Sequence, residues 1–316
     1  MIPAFLVGSI ASFLKRSWNR HNRNSLNYLV IVGGFIEHIE GTFEGVKGVK
    51  IYYQGWVPES PKAVVQFVHG GFEHSGRSPY LVNALSSNGY AVYAEDQRGN
   101  GKSEGERGYV DSFDEFVDDE KPLYDIIKAR HPDLSVFMLG PSLGSLITFA
   151  FAMKYAHLLK GVVLAATASG GRLGLFLRFL LRLFVFLRPH MRFGKSLDKT
   201  LMTRDLNSIK DAEIDPLLYE TRFTIKFARE ILRGFYNMFK HAKELTLPLL
   251  VQCGTADKII EFFKFRNDET EFNKLYTMED KSIKIYNGMY HDVYNDLEPD
   301  RKIVFKDLIA WLDTHI

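Results

Sequence analysis

In the stretch Val136 to Ala152, VFMLGPSLGSLITFAFA, Ser142 stands between Gly140 and Gly144. Glycines two residues either side of a serine suit a sharp strand-to-helix turn, where a Cβ would collide. Such a turn holds the serine hydroxyl out as a nucleophile. Three fixed positions of this kind arise by chance in about one chain of this length in ten, so context decides. The residues before Gly140 form an apolar, strand-like run, and those after Ser142 follow an apolar helical pattern. A helix starting there aims backbone N–H groups and the positive end of a dipole at the serine oxygen. The alternative is a serine that only caps the helix.

A serine hydroxyl attacks a carbonyl only when a base takes its proton. Five histidines follow Ser142: His157, His190, His241, His291 and His315. Only His291, in YNGMYHDVYND, lies just past a late predicted strand. The chain order expected of a serine on such an elbow is serine, acid, histidine. LLVQCGTADKII then supplies Asp257, in the turn after the preceding strand; capping that turn is its simpler role. The negative charge that develops on the attacked carbonyl oxygen needs donors. One is the N–H of Leu143, next to the serine. The second belongs to the loop VHGGFEHSGR, where Gly70 and Gly71 let the backbone come close, and the N–H of Gly71 is the choice.

These side chains need strand ends to carry them. FIEHIEGTF and VKIYYQGWVP alternate in polarity and read as a hairpin. AVVQFVHGG, YAVYAEDQRGNG, LSVFMLGPS, LKGVVLAAT, LPLLVQCGTAD and SIKIYNGMYH are short, mostly apolar runs that end in glycine or polar residues. Such runs mark a parallel sheet covered on both faces. Helical patterns lie between them, which makes the fold α/β. Sites in such sheets form at the carboxyl ends of the strands, which is where the candidates lie. Residues 169–241 break the rhythm and read as an inserted helical cap. The core then spans 35–168 and 242–316, with an extension at 1–34.

HGGFEHSGR, EDQRGNGKSEGERGYVDSF, GPSLGS, GTADKII and NGMYHDVYND together resemble the monoglyceride lipase and lysophospholipase branch of the α/β-hydrolases, over roughly Phe35 to Leu312. The resemblance implies a mostly parallel eight-stranded sheet flanked by helices, with the cap inserted. It implies a Ser142–Asp257–His291 triad, no cofactor or metal, and a cap that docks on membrane and lines an acyl tunnel. It also places Glu73 and Arg77 near the glycerol head group; an ion pair bracing the oxyanion loop is their other reading. Two positions depart from the pattern. Pro141 replaces the usual histidine before the nucleophile, which a strand end tolerates. Ser145 replaces a glycine, which loosens helix–strand packing slightly.

The totals fit one large core with an insertion: 316 residues, 46% hydrophobic, 25% charged. A net charge of +2 gives no basis for nucleic-acid binding. The lone Cys253 forms no internal disulfide and reads as a buried small hydrophobe. Charge is distributed unevenly. Four basic and no acidic residues precede Glu37, and Leu134 to Leu197 holds eight Lys or Arg without one Asp or Glu. Such asymmetry suits an anionic surface. In GRLGLFLRFLLRLFVFLRPHMRFGK, Arg178 and Arg182 share one narrow face and apolar side chains fill nearly everything else. We expect one side of this segment to line an acyl site and the other to rest in a membrane. Arg172, Arg188, Arg192 and Lys195 would then meet the head groups; a fully buried cap is the alternative. The first fourteen residues are apolar but short of the roughly 20 that span a bilayer. Their basic residues follow rather than precede the apolar run, unlike a signal peptide. An interfacial segment or a helix packed on the core fits them. A cytoplasmic protein, or one peripheral on the cytoplasmic membrane face, is expected.

The sequence therefore predicts a serine hydrolase for a single-chain lipid ester, monoacylglycerol before lysophospholipid. An acyltransferase or thioesterase using the same triad, and a non-catalytic lipid-binding relative, stand behind it.

Overall fold

The computed structural model describes residues 27–31, 34–171, 185–193, 198–218, 222–262 and 265–316. Its main sheet takes β1 (Asn27–Ile31), β2 (Gly34–Glu44), β3 (Lys50–Pro58), β4 (Ala63–Phe67), β5 (Tyr90–Glu95), β6 (Val136–Pro141), β7 (Gly161–Ala165), β11 (Leu249–Gly254) and β13 (Lys281–Tyr286). The strands lie in the order β1-β2-β3-β5-β4-β6-β7-β11-β13. From β5 to β13 every neighbouring pair is parallel, while β1, β2 and β3 run antiparallel to their neighbours. All eight strands expected from the sequence are present. β1 is a ninth at the edge, pairing with β2 from Asn27↔His38 to Ile31↔Gly34. Its sequence, NYLVI, has the aromatic and β-branched content of a strand, and it falls within the segment read as an extension.

Alternation along the central strands explains the layers. Met138, Val162, Leu164 and Val251 face one apolar cluster with α2 (Phe113–Arg130), α3 (Leu143–Tyr155) and α5 (Ile225–His241). Their neighbours Phe137, Leu139, Val163, Ala165 and Leu250 face another with α1 (Pro79–Ser87) and α8 (Glu298–Thr314). With both faces covered, each strand reads as continuously apolar. Cys253, wholly buried in β11, is part of the first cluster. Burial pushes its thiol up to about 12, so it stays protonated and unreactive.

Between β7 and β11 none of the described residues joins the main sheet. They form β8 (Gly170–Gly171), which pairs with β12 (Phe265–Arg266), then β9 (Arg192–Phe193), which pairs with β10 (Phe223–Thr224). They also form α4 (Leu206–Glu213) and α5. Two short helices, α6 (Lys258–Phe262) and α7 (Glu269–Leu275), follow β11. Arg172, Arg178, Arg182 and Lys195 lie outside the described residues. Arg188 is exposed. The Arg192 guanidinium donates to the carbonyls of Arg107 and Arg222, at 2.6 and 3.3 Å.

Candidate active site

Ser142 joins β6 to α3 with φ 55° and ψ −119°. A non-glycine residue with positive φ is strained, and the surroundings must hold it there. Here the Ser142 N–H donates to the Ala165 carbonyl at 3.0 Å, and Ser145 N–H to the Ser142 carbonyl at 3.0 Å. The flanking glycines are required by contact. A Cβ on Gly140 would lie 2.2 Å from the Gly144 carbonyl oxygen, and one on Gly144 would lie 2.0 Å from that of Val68. The turn is therefore packed on both sides by backbone, and a side chain at either position would push it open.

Asp257 follows β11 and is 5% exposed. Its Oδ1 accepts the N–H groups of Ile259 and Ile260, at 3.0 and 2.9 Å, which fixes the carboxylate. Its Oδ2 lies 2.7 Å from His291 Nδ1. The turn-capping and histidine-orienting roles thus fall to the two oxygens of one group. His291 follows β13, whose loop is laced to the Asp257 turn: Ala256 N–H donates to the Met289 carbonyl at 3.0 Å. A Cβ on Gly254 would stand 2.2 Å from that same carbonyl oxygen, so the turn needs glycine for the two loops to meet.

His291 is 2% exposed, and its Nε2 finds no hydrogen-bond partner among the described residues. Burial works against the charged imidazole. The Asp257 carboxylate and its hydrogen bond, with the charges of Asp292 and Glu73, outweigh that and raise the pKa above the usual histidine value. An imidazole with Nδ1 bonded to a fixed carboxylate and a bare, dry Nε2 is set up to accept a proton at Nε2.

The loop expected to supply the second oxyanion donor lies against the elbow. A Cβ on Gly71 would touch Leu143 at 3.7 Å, and one on Gly70 would come 3.7 Å from Ser142 Cβ. Glu73 Oε2 accepts the Gly70 N–H at 3.1 Å and so braces the loop. Burial, then the charge of Asp292, pushes the Glu73 carboxyl up to about 7, while Arg77 and the Gly70 N–H pull it back. Arg77 turns toward the insertion. Its Nη2 donates to the Ser208 carbonyl at 3.2 Å and its Nη1 lies 3.8 Å from Asp215 Oδ2. Glu73 and Arg77 are therefore not a closed ion pair, although each feels the other's charge.

A sequence profile described as Serine aminopeptidase, S33 matches residues 59–298. Over 280 residues the chain is 32% identical to a monoacylglycerol lipase of Mycolicibacterium smegmatis, covering 88% of this chain and 98% of that relative. The chain belongs to the monoglyceride lipase branch of the α/β-hydrolases. A Bacillus subtilis phospholipase is 29% identical over 83% of this chain and 99% of its own length. The crystal structure of a Paleococcus ferrophilus monoacylglycerol lipase matches with a TM-score of 0.71 at 27% identity, covering 84% of this chain and 99% of that one.

Against that family, the two departures noted in the sequence sit quietly. Pro141 ends β6 in register with Ala165, leaving the elbow in place. Ser145 is wholly buried, and its hydroxyl donates to the Ser142 carbonyl at 2.6 Å, so the replaced glycine leaves no orphan polar group.

Sequence reasoning missed two members of the site. Phe72, between Gly71 and Glu73, has φ 63°, a conformation that a bulky residue rarely adopts. Its ring packs on Phe223 and Phe227 of the insertion, at 4.8 and 5.5 Å between centroids. The oxyanion loop is thus anchored to the insertion by an aromatic cluster. His69 is wholly buried beneath it. The Gln97 N–H donates to Nε2 at 2.9 Å, so Nδ1 carries the proton and donates to the Gly70 carbonyl at 2.7 Å. Burial pulls its pKa down to about 4, which keeps it neutral. An apolar strand running straight into His-Gly-Gly was the only signal for it. Among the described residues, no group of three or more His, Cys, Asp or Glu is arranged to hold a metal ion.

Proposed function

We propose that this chain hydrolyses monoacylglycerol to glycerol and a fatty acid through an acyl-enzyme on Ser142. Ser142 Oγ attacks the ester carbonyl and His291 Nε2 takes its proton. Asp257 holds the imidazole with Nδ1–H toward its carboxylate and stabilises the charged ring. The N–H groups of Leu143 and Gly71 receive the oxyanion; loss of one such donor typically costs about 100- to 1000-fold in turnover. The imidazolium returns its proton to the departing glycerol oxygen. Water, deprotonated by His291, then releases the fatty acid and frees Ser142. No step in this sequence calls on a metal or cofactor.

The observation that carries this reading is the strained Ser142 at the carboxyl end of β6, on the same sheet edge as the Asp257–His291 pair. Head-group choice rests on charge. Carboxylates of Glu73 and Asp292 act on His291, while Arg77 is turned toward Asp215. A neutral glycerol suits that surrounding better than a phosphodiester. Lysophospholipid is the second reading, favoured by the phospholipase relative.

Membrane contact belongs to the same proposal. No described helix is long and apolar enough to cross a bilayer. Phe186 is 85% exposed, and Leu187 and Met191 are also exposed, beside the exposed Arg188. Apolar side chains rimmed by a cation fit a peripheral docking edge on an anionic lipid surface.

One panel tests the function: monoacylglycerols, lysophospholipids and short p-nitrophenyl esters, with Ser142→Ala as control and an acceptor alcohol in a parallel arm. Monoacylglycerol turns over fastest, Ser142→Ala is inactive, and free fatty acid is the acyl product. Turnover that survives Ser142→Ala contradicts the reading. A dominant transesterified product replaces hydrolase by acyltransferase. Failure of a fluorophosphonate to label Ser142 points to a non-catalytic lipid binder.

A further inference from the structure

The loop that carries His291 is held from two directions. Up to Met289 its partners are core residues: Thr255 N–H donates to the Tyr286 carbonyl at 2.9 Å and Ala256 N–H to Met289 at 3.0 Å. Past His291 the backbone bonds to the insertion instead. The Asp292 N–H donates to the Met202 carbonyl at 2.8 Å, and the Asn295 carbonyl accepts from Thr203 Oγ1 at 2.7 Å. The two sides meet at Asp296, which is wholly buried. Its Oδ2 accepts the N–H of Tyr290, the residue before the histidine, at 3.0 Å. The same carboxylate accepts from Arg204: Nε at 2.9 and 3.1 Å, and the backbone N–H at 3.1 Å. Arg204 Nη2 also reaches Asp300 Oδ2 at 2.5 Å.

We propose that Arg204 is a positioning residue for His291, acting through Asp296 and the Tyr290 N–H. Asp296 stands five residues after His291, an H-x4-D spacing too common in sequences to single it out. A buried carboxylate needs a cation and a full set of donors. Arg204 supplies the charge from the insertion, and the Tyr290 N–H is fixed as part of the same shell. Without Arg204 the carboxylate keeps the N–H groups of Tyr290 and Leu297, at 3.0 and 2.9 Å, but loses its cation and its forked contact, so it shifts and Tyr290 shifts with it. The imidazole at the next position then shifts from its 2.7 Å contact with Asp257 Oδ2. Displacing a catalytic group by about 1 Å costs on the order of 100-fold in rate. The arrangement also makes movement of the insertion a movement of the general base.

This inference rests on the hydrolase reading, and the test separates the two. Arg204→Met, Arg204→Lys and Thr203→Val are assayed on a short p-nitrophenyl ester, which needs little acyl site, and by the rate of fluorophosphonate labelling. Arg130→Met, which breaks the ion pair with Glu37 near the far edge of the sheet, is the control. Arg204→Met is expected to lower kcat about 10- to 100-fold with KM changed less than about threefold, and labelling slows in parallel. Arg204→Lys recovers part of that loss, because it keeps the charge but not the forked contact. Thr203→Val, which leaves every charge in place, lowers kcat by a smaller factor and serves if Arg204→Met does not fold. Arg130→Met keeps the wild-type kcat. The proposal is overturned if folded Arg204 or Thr203 variants label at the wild-type rate and lose only melting temperature, or if KM alone rises. An unlabelled wild type instead removes the hydrolase reading itself.

Discussion

Two stretches of the same insertion meet different parts of the core, one at the His291 loop and the other at the loop of Glu106 to Tyr109. Residues 198–218 are tied down by side chains. Arg204 reaches Asp296 and Asp300, Arg301 reaches Asp205, and His74 Nε2 lies 2.9 Å from Asp215. Residues 185–193 bond through their backbone to the insertion itself: the Met191 and Pro189 carbonyls accept from Ile225 and Lys226, and β9 pairs with β10. They reach the core through His190, 2.8 Å from Glu106 and stacked on Tyr109, and through Arg192, which donates to the Arg107 carbonyl. Phe186, Leu187 and Met191 of this stretch are exposed. Polar bonds to the His291 loop demand one geometry, whereas exposed apolar side chains demand only a surface to enter. On the function proposed above, the first stretch places a catalytic group, and the exposed apolar residues of the second meet lipid.

The comparison can be broken from the catalytic side first. Asp257→Asn keeps the shape but offers the imidazole a donor or the wrong tautomer, so kcat on every ester should fall about 1000- to 10,000-fold. Equal loss on soluble and vesicle-borne substrate places that effect beneath both stretches. Replacing the outward pair, Phe186→Ser with Leu187→Ser, acts next in size. Sedimentation with anionic vesicles should weaken by about 10- to 100-fold, while kcat on a soluble short ester holds. If the soluble activity falls as well, the two stretches are not separable.

A buried site away from both gives a smaller effect of known sign. Neither Glu95 oxygen nor Glu120 Oε1 has a hydrogen-bond partner among the described residues. Burial, with the Gln66 hydrogen bond opposing it and the charge of Asp119 adding to it, pushes Glu120 up to about 8. A carboxyl whose pKa is raised on folding is favoured protonated, so its stability is full near pH 4 and lost as pH rises toward 8. Glu120→Gln removes that loss, and urea titrations should show it more stable than wild type by about 1–3 kcal/mol at pH 8, with little difference at pH 4. A wild type equally stable at both pH values goes against a protonated Glu120. Smallest is Glu73→Gln. Glu73 contributes one of the charges that raise the His291 pKa, so the acid limb of the kcat/KM profile on a soluble ester should move to lower pH. A limb that stays put or moves up removes Glu73 from the electrostatics of the base.

The sheet was readable because its central strands are apolar on both faces, as Phe137 and Met138 illustrate by packing into different clusters. Ser142 was readable because two backbone contacts forbid anything but glycine around it. β1 was not, since its five strand-like residues follow a basic stretch, KRSWNRHNRNS, and read with it as one extension. Phe72 was hidden because the rings it packs on lie more than 150 positions later in the chain. Asp296 looked like one of many acids, and only its place beneath Arg204 and Tyr290 distinguishes it. Local rules mark residues whose own backbone needs them; residues that hold another residue's backbone leave no local mark.

In the proposed cycle the Ser142 hydroxyl carries the acyl group. Wild-type protein mixed with p-nitrophenyl butyrate, acid-quenched within milliseconds and digested, tests it by peptide mass. The account predicts a butyryl adduct on the peptide containing Ser142, gone by the end of turnover and never formed in Ser142→Ala. Steady release of p-nitrophenol with no adduct at Ser142, or with the adduct on another side chain, contradicts it.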